Sequence, residues 1–190
     1  HIFADQYFPK RTELEAIASA LWYGVMEVEG IAQSSGASVM AGHTEKALMT
    51  SKGFFGVCRE SRFGQSVSAI SGTGTGMEED YGEQSCAFWE DFREPSALVK
   101  EATHRALIRQ NPEPMPNVTG EVLFENRIAG RLIGQICSAM NASQLIRGAT
   151  FLQDRPAKIA DESFTIVDDP FRYRCFNAAP FDGEGLMKTA

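Results

Sequence analysis

The strongest periodic signal lies near the start of the chain. Leu14, Ile17, Ala18, Leu21, Val25 and Val28 recur at spacings of three, four and seven, which predicts an amphipathic helix over residues 12–29. Thr12 and Glu15 have the spacing of a capping box at its start, and Gly30 fits its end. From Ala37 to about Phe92 the pattern changes to short runs of β-branched and aromatic residues broken by SKG, RFGQ, SGTGTG and DYGEQ. Punctuation of this kind predicts a meander of antiparallel strands. A second helix is expected from about Ser96 to Gln110, with Pro95 near its N-terminus and Val99, Ala102 and Ala106 on its buried side.

The segment NPEPMPN, residues 111–117, carries three prolines at alternate positions. Fixed φ and missing N–H groups favour a stiff, extended connector there over a helix or a central strand. Beyond it the pattern predicts a strand at Gly120 to Phe124, a helix around 127–141 with Ile128, Leu132, Ile136 and Met140 on one face, and a strand at Phe164 to Val167. The expected fold class is α+β. Residues 1–110 read as the remainder of an N-terminal helix-plus-antiparallel-sheet domain, 111–117 as the connector, and 118–190 as the first part of a β-rich C-terminal domain.

Length and composition add bounds to this picture. A chain of 190 residues with 43% hydrophobic content can bury a core. No window approaches the ~20 apolar residues of a membrane span and no signal-peptide pattern opens the chain, so the expectation is a cytoplasmic protein with no membrane contact. The net charge of −7 has the wrong sign for displacing counterions from phosphates, so nucleic acid is not expected as a partner. The pairs Arg105 with Arg109 and Arg172 with Arg174 are diluted by acidic or apolar neighbours and read as a solvated face. Cys58, Cys86, Cys137 and Cys175 are too far apart for a zinc signature and too few for a disulfide scaffold. They are expected to be reduced and mostly buried. The chain begins at His1 without an initiator Met and stops shortly after a dense turn cluster, and so reads as a piece of something longer.

Candidate chemistry is sparse. SGTGTG, residues 71–76, lacks the lysine of a phosphate-binding loop and opens no convincing helix, which leaves a turn between strands. The serines of SSGAS have no histidine or lysine arranged beside them, and turn chemistry accounts for them. His104 falls on the outer side of its helix, and His43 lies in a strand or turn. Neither has a second His or Cys at ligand spacing. In the tail, Asp168, Asp169, Asp182 and Glu184 could converge on a divalent cation, but Asp before Pro and Asp before Gly are also what tight turns require. The turn reading is preferred, with an independent divalent-metal enzyme built on these carboxylates as an alternative.

Taken in order, GEVLF, the RLIG helix, RGATFLQDR, FTIVDDP and PFDGEG resemble the C-terminal part of the TldD/PmbA family, whose members also carry the label of DNA gyrase modulators. Upstream, GIAQSSGAS, ALMTSKGF and ATHRAL are similar to the same family. The resemblance implies a metallopeptidase relationship: the TldD-type subunit holds zinc with a His-Glu-x-x-x-His helix and a further Cys. On that alignment Gly134 and Ala139 stand where the histidines would be, and Gln135 where the glutamate would be. Glycine and alanine offer no donor atom and a carboxamide is not basic. No catalytic, cofactor or metal residue is therefore expected in this chain, which resembles the PmbA branch, also called TldE.

The resemblance further implies a heteromeric protease acting on unfolded or precursor peptides in proteolysis and peptide maturation. Zinc would reside in a TldD-type partner, and a homodimer is conceivable for the chain in isolation. A protein-binding modulator of DNA gyrase is the other reading the family label suggests, and the acidic balance permits contact with a basic protein surface.

Overall fold

A computed structural model describes residues 4–152, 158–176 and 178–189. It divides the chain into two compact units, His1–Glu113 with Asp168–Ala190, and Pro114–Val167.

In the first unit a long antiparallel hairpin organises everything else. Strands β2 (Ala37–Met49) and β3 (Phe55–Ser71) pair without interruption from Ala37 opposite Val67 to Met49 opposite Phe55. Strand β4 (Glu78–Cys86) runs along the other edge of β3, from Phe63 opposite Cys86 to Ser71 opposite Glu78. The short strand β1 (Ile31–Gln33) pairs across a bulge with the end of β3, at Ser71 and Ile70. Because strand side chains alternate in direction, the odd-numbered residues from Ser61 to Ser71 share one face of β3, and Phe63, Gln65, Val67, Ala69 and Ser71 are all buried there.

Helices α1 (Arg11–Met26) and α2 (Pro95–Ile108) cover that face. Their buried residues Leu21, Val25, Leu98, Val99, Ala102 and Ala106 form one cluster with Val67 and Ala69. Each fully buried Leu or Val there contributes about 1.5–3 kcal/mol relative to exposure. Glycines permit the close approach: a β-carbon at Gly82 would run into the backbone carbonyl of Leu98, and one at Gly24 would lie 3.0 Å from Val99. Asp80, facing the helices from β4, is 3% exposed and accepts from the Arg109 guanidinium at 3.0 Å, tying the end of α2 to the sheet. Beyond the helices the same face continues into aromatic contacts, with Phe63 edge-on to Trp89 at 5.3 Å and Trp89 stacked on Phe92 at 4.5 Å.

The tail returns to the hairpin. Phe181 packs edge-on against Phe54 at 5.2 Å, the buried Cys58 thiol points at the Ala178 carbonyl at 3.7 Å, and the Arg174 guanidinium bonds Asp91 at 2.7 Å while lying over Phe88.

The second unit carries helices α3 (Asn126–Ala139) and α4 (Ala142–Ile146). Residues 112–119 run without helix or strand and are exposed throughout, in keeping with the proline spacing.

The α+β class expected from the pattern is what the structure has, and several local expectations need correction. The first helix begins at Arg11 with Lys10 as its cap, and no side chain caps it. The Thr12–Glu15 box does not form because the helix starts at Arg11, which places Thr12 inside the first turn and not at the cap; Glu15 pairs with Arg11 at 2.7 Å. Strand β1 and helix α4 were not expected. Residues 120–124 and 164–167 are not strands. Leu123 is 98% exposed, and a β-prone run without a partner strand has no ladder to join. The apolar face of α3 is also less covered than packing would require: Ile128, Leu132 and Met140 are 37%, 40% and 54% exposed, and Ala139 is the helix residue that is buried. No strand lies in 114–167 among the described residues.

Candidate functional site

Helix α3 carries the positions that the resemblance singles out. Gly134 and Gln135 are exposed on it, and Ala139 closes its last turn at 7% exposure. A chain reversal after α4 brings the following segment back against that turn. Asn141 caps α4 by accepting from the Ser143 N–H at 2.9 Å, and Gly148 ends the reversal at φ +64°, a conformation suited to glycine. Thr150 Oγ1 then donates to the Ala139 carbonyl at 2.8 Å and accepts from the Leu152 N–H at 3.1 Å.

The result is a hollow of about 330 Å³ lined by Gln135, Ser138, Ala139, Gln144, Thr150 and Phe151, with Ala149 beside them. Among the described residues its lining is neutral: carboxamides, hydroxyls, methyl groups and one ring. The side chains of Gln135, Ser138 and Gln144 have no hydrogen-bond partner among the described residues.

This donor set does not fit zinc. A tetrahedral site needs thiolate, imidazole or carboxylate ligands, and none lines the hollow among the described residues. No cluster of three or more His, Cys, Asp or Glu is placed to hold a metal among the described residues. Among the described residues nothing within 4 Å would block a side chain at Gly134.

The other sequence candidates are accounted for locally. SGTGTG links β3 to β4, with Gly72 and Gly74 at positive φ and a β-carbon at Gly72 falling 2.6 Å from the Gly76 carbonyl oxygen. In SSGAS, Ser34 Oγ donates to the Ser68 carbonyl at 2.7 Å and Ser35 Oγ to Glu79 at 2.6 Å, stapling the β1–β2 link to its neighbours. His104 is exposed, and the His43 ring lies edge-on to Phe8 at 5.0 Å. Of the paired arginines, Arg109 and Arg174 are held in ion pairs and Arg105 donates to the Tyr81 carbonyl at 3.1 Å, while Arg109 and Arg172 are exposed and Arg105 and Arg174 partly so.

The tail acids do not converge. Asp169 accepts from the Phe171 N–H at 2.9 Å, and Asp182 from the Glu184 and Leu186 N–H groups at 2.9 and 2.8 Å, which is turn geometry. Those backbone donors hold the Asp182 carboxyl below its ordinary value of 3.8. A depressed folded value means the contribution to the turn is present above the unfolded value and lost as pH falls through the folded one. In an acid titration the Leu186 and Glu184 amide resonances are expected to shift with a midpoint below 3.8. A midpoint at or above that value would contradict the assignment.

The four cysteines are free thiols, but only Cys58 and Cys86 are buried, Cys175 is half-buried and Cys137 is exposed on α3. Burial, with the Asp91 charge adding to it, pushes the Cys86 thiol up to about 11. Since the thiolate is the reactive form, a disulfide reagent at pH 8 should label Cys137 in the fast phase and Cys86 only after unfolding. Fast labelling of Cys86, read by peptide mass mapping, would refute this. No helix among the described residues is long and apolar enough to cross a membrane.

An N-terminal sheet covered by two helices, followed by a unit that carries α3 and α4, defines a class of protein that comparison with known chains makes specific. Residues 9–110 match the PmbA/TldA metallopeptidase central domain and residues 118–190 the PmbA/TldA metallopeptidase C-terminal domain. The chain belongs to the PmbA/TldD family.

Among its relatives, the metalloprotease PmbA homolog of Haemophilus influenzae is 27% identical over 184 residues, which is 96% of this chain and 40% of that protein. A metalloprotease of Archaeoglobus fulgidus is 37% identical over 73 residues, 37% of this chain and 17% of that one. The crystal structure of a candidate modulator of DNA gyrase from Bacteroides thetaiotaomicron superposes with a TM-score of 0.86 at 22% identity, covering 99% of this chain and 44% of that one. One from Thermotoga maritima does so at 0.86 and 16%, covering 95% and 42%. At these identities the two structures share the fold and carry no function across. The chain spans about two-fifths of the length of the first of these relatives.

Proposed function

We propose that this chain is the non-catalytic, PmbA-type component of a heteromeric metalloprotease that acts on unfolded or precursor peptides, with zinc and the general base supplied by a TldD-type partner. What supports the reading is the chemistry of α3: Gly134, Gln135 and Ala139, which stand at the ligand and base positions on the alignment that the resemblance implies, carry no metal ligand or base, and the described residues lining the hollow beside them are neutral. Water activation requires a Lewis acid and a base within reach of the attacking oxygen, and this segment offers neither.

The test is a peptide-cleavage assay on the purified chain, run with and without a TldD-type subunit. Cleavage is expected only in the mixture. Chelator-sensitive cleavage by the chain alone, at a rate comparable with the mixture, would overturn the proposal.

A further inference from the structure

We infer that the hollow between α3 and the segment after α4 is a binding site for the interior of an uncharged peptide segment, held through its main-chain amides. This rests on the proteolytic reading above and extends it by giving this chain a direct contact with substrate.

The argument begins with the inventory of groups. Gln135 and Gln144 each present one acceptor oxygen and two N–H donors, and Ser138 adds a hydroxyl that does both. A peptide main chain alternates N–H and C=O, so a pair of carboxamides can match it in either direction without reading side chains. These three side chains have no partner within the described residues, so binding breaks no internal bond and displaces only water. The Thr150 hydroxyl, by contrast, is committed to Ala139 and Leu152. Together with the Ala149 N–H bond to the Gln144 carbonyl at 2.9 Å, it fixes the back wall on which the free groups stand.

Charge selects the ligand further. Among the described residues no Asp, Glu, Lys, Arg or His lines the hollow, so none of these side chains would compensate a carboxylate or an ammonium entering it for the water it loses. Chain termini and charged side chains are disfavoured, and an internal neutral stretch is favoured. The Ala139 and Ala149 methyls and the Phe151 ring, which is 71% exposed, supply apolar surface for a small or aromatic side chain. A volume of about 330 Å³ stands at the lower end of the range for ligand sites, enough for a short segment and not for a folded domain.

The test uses the isotopically labelled chain alone, titrated with acetyl-Ala-Ala-Phe-Ala-amide, and the same sequence with free termini. The blocked peptide should shift the side-chain amide resonances of Gln135 and Gln144. A Gln135→Ala/Gln144→Ala double variant should weaken it about tenfold, as expected for losing two neutral hydrogen bonds. Both positions lie at the surface, and circular dichroism would verify that the variant folds. Shifts confined to other residues, or unchanged affinity in the folded double variant, would overturn the site. Equal or tighter binding of the free-terminus peptide would overturn its selectivity for neutral segments. No partner is present, so a failure here leaves partner-dependent cleavage untouched. Binding at the hollow without any cleavage in the mixed assay would instead sink the proteolytic reading alone.

Discussion

A Phe63→Ala variant should lose about 3–5 kcal/mol of stability, the range for removing a fully buried aromatic ring. Phe63 is 0% exposed and stands at the centre of β3, opposite Ala41 on one side and Cys86 on the other. Its ring carries Trp89 at 5.3 Å, and Trp89 in turn carries Phe92 and Tyr7 at 4.5 and 5.5 Å. Strand backbones joined by a continuous ladder cannot collapse into the space left behind, so the cavity term should stand near its full value. Both tryptophans, Trp22 and Trp89, lie in the first unit, so their fluorescence reads that unit selectively. The thermal midpoint should fall by roughly 10 °C. A fall of only a degree or two would show that the aromatic contacts do not bear on the fold as described.

A Gly82→Val variant should be destabilised by about 3 kcal/mol or more, at or beyond the upper end of the range for overpacking. Gly82 pairs with Val67 and faces α2, where the new β-carbon would meet the Leu98 carbonyl oxygen, its carbon and its α-carbon. These are backbone atoms in the interior of a helix and cannot swing aside as the tip of a flexible side chain could. Helix α2 would have to lift, loosening Leu98, Val99, Ala102 and Ala106 together. The control is Gly42→Ala in β2, where nothing lies within 4 Å of the added carbon. It should be neutral or slightly stabilising, because alanine loses less backbone entropy on folding than glycine. Equal urea midpoints for the two variants would contradict the packing of α2 on β4.

How far the sequence revealed these features depended on whether a feature is local. Helices α1, α2 and α3 were legible because their apolar residues repeat with the helical period, and the hairpin region because turn residues punctuate β-prone runs. The capping box failed because the helix starts at Arg11, earlier than the periodicity suggested, which puts Thr12 inside the first turn. Strand β1 escaped notice because three residues carry no period, and its pairing is decided by Ile70 and Ser71, nearly forty residues away in the chain. The runs at 120–124 and 164–167 were over-read because strand propensity reports the fit to a neighbour that these segments do not have. The C-terminal end of RGATFLQDR, residues 153–155, lies outside the described residues.

At the candidate site the chemistry of Gly134, Gln135 and Ala139 could be read directly, since a donor atom is a property of residue type. The hollow could not. It arises from the Gly148 reversal and the Thr150 bond to Ala139, contacts across eleven residues with no periodic trace. Gln144, which faces it, had no motif to mark it.

The central claim is that α3 of this chain cannot supply the metal chemistry of its family. Its most direct test is zinc content by mass spectrometry of the elements, measured after equilibration with the metal and removal of excess, for the chain alone and for its complex with a TldD-type subunit. The account predicts no stoichiometric zinc in the chain alone and stoichiometric zinc in the complex. Stoichiometric zinc retained by the chain alone, and lost on altering residues 134–139, would contradict it.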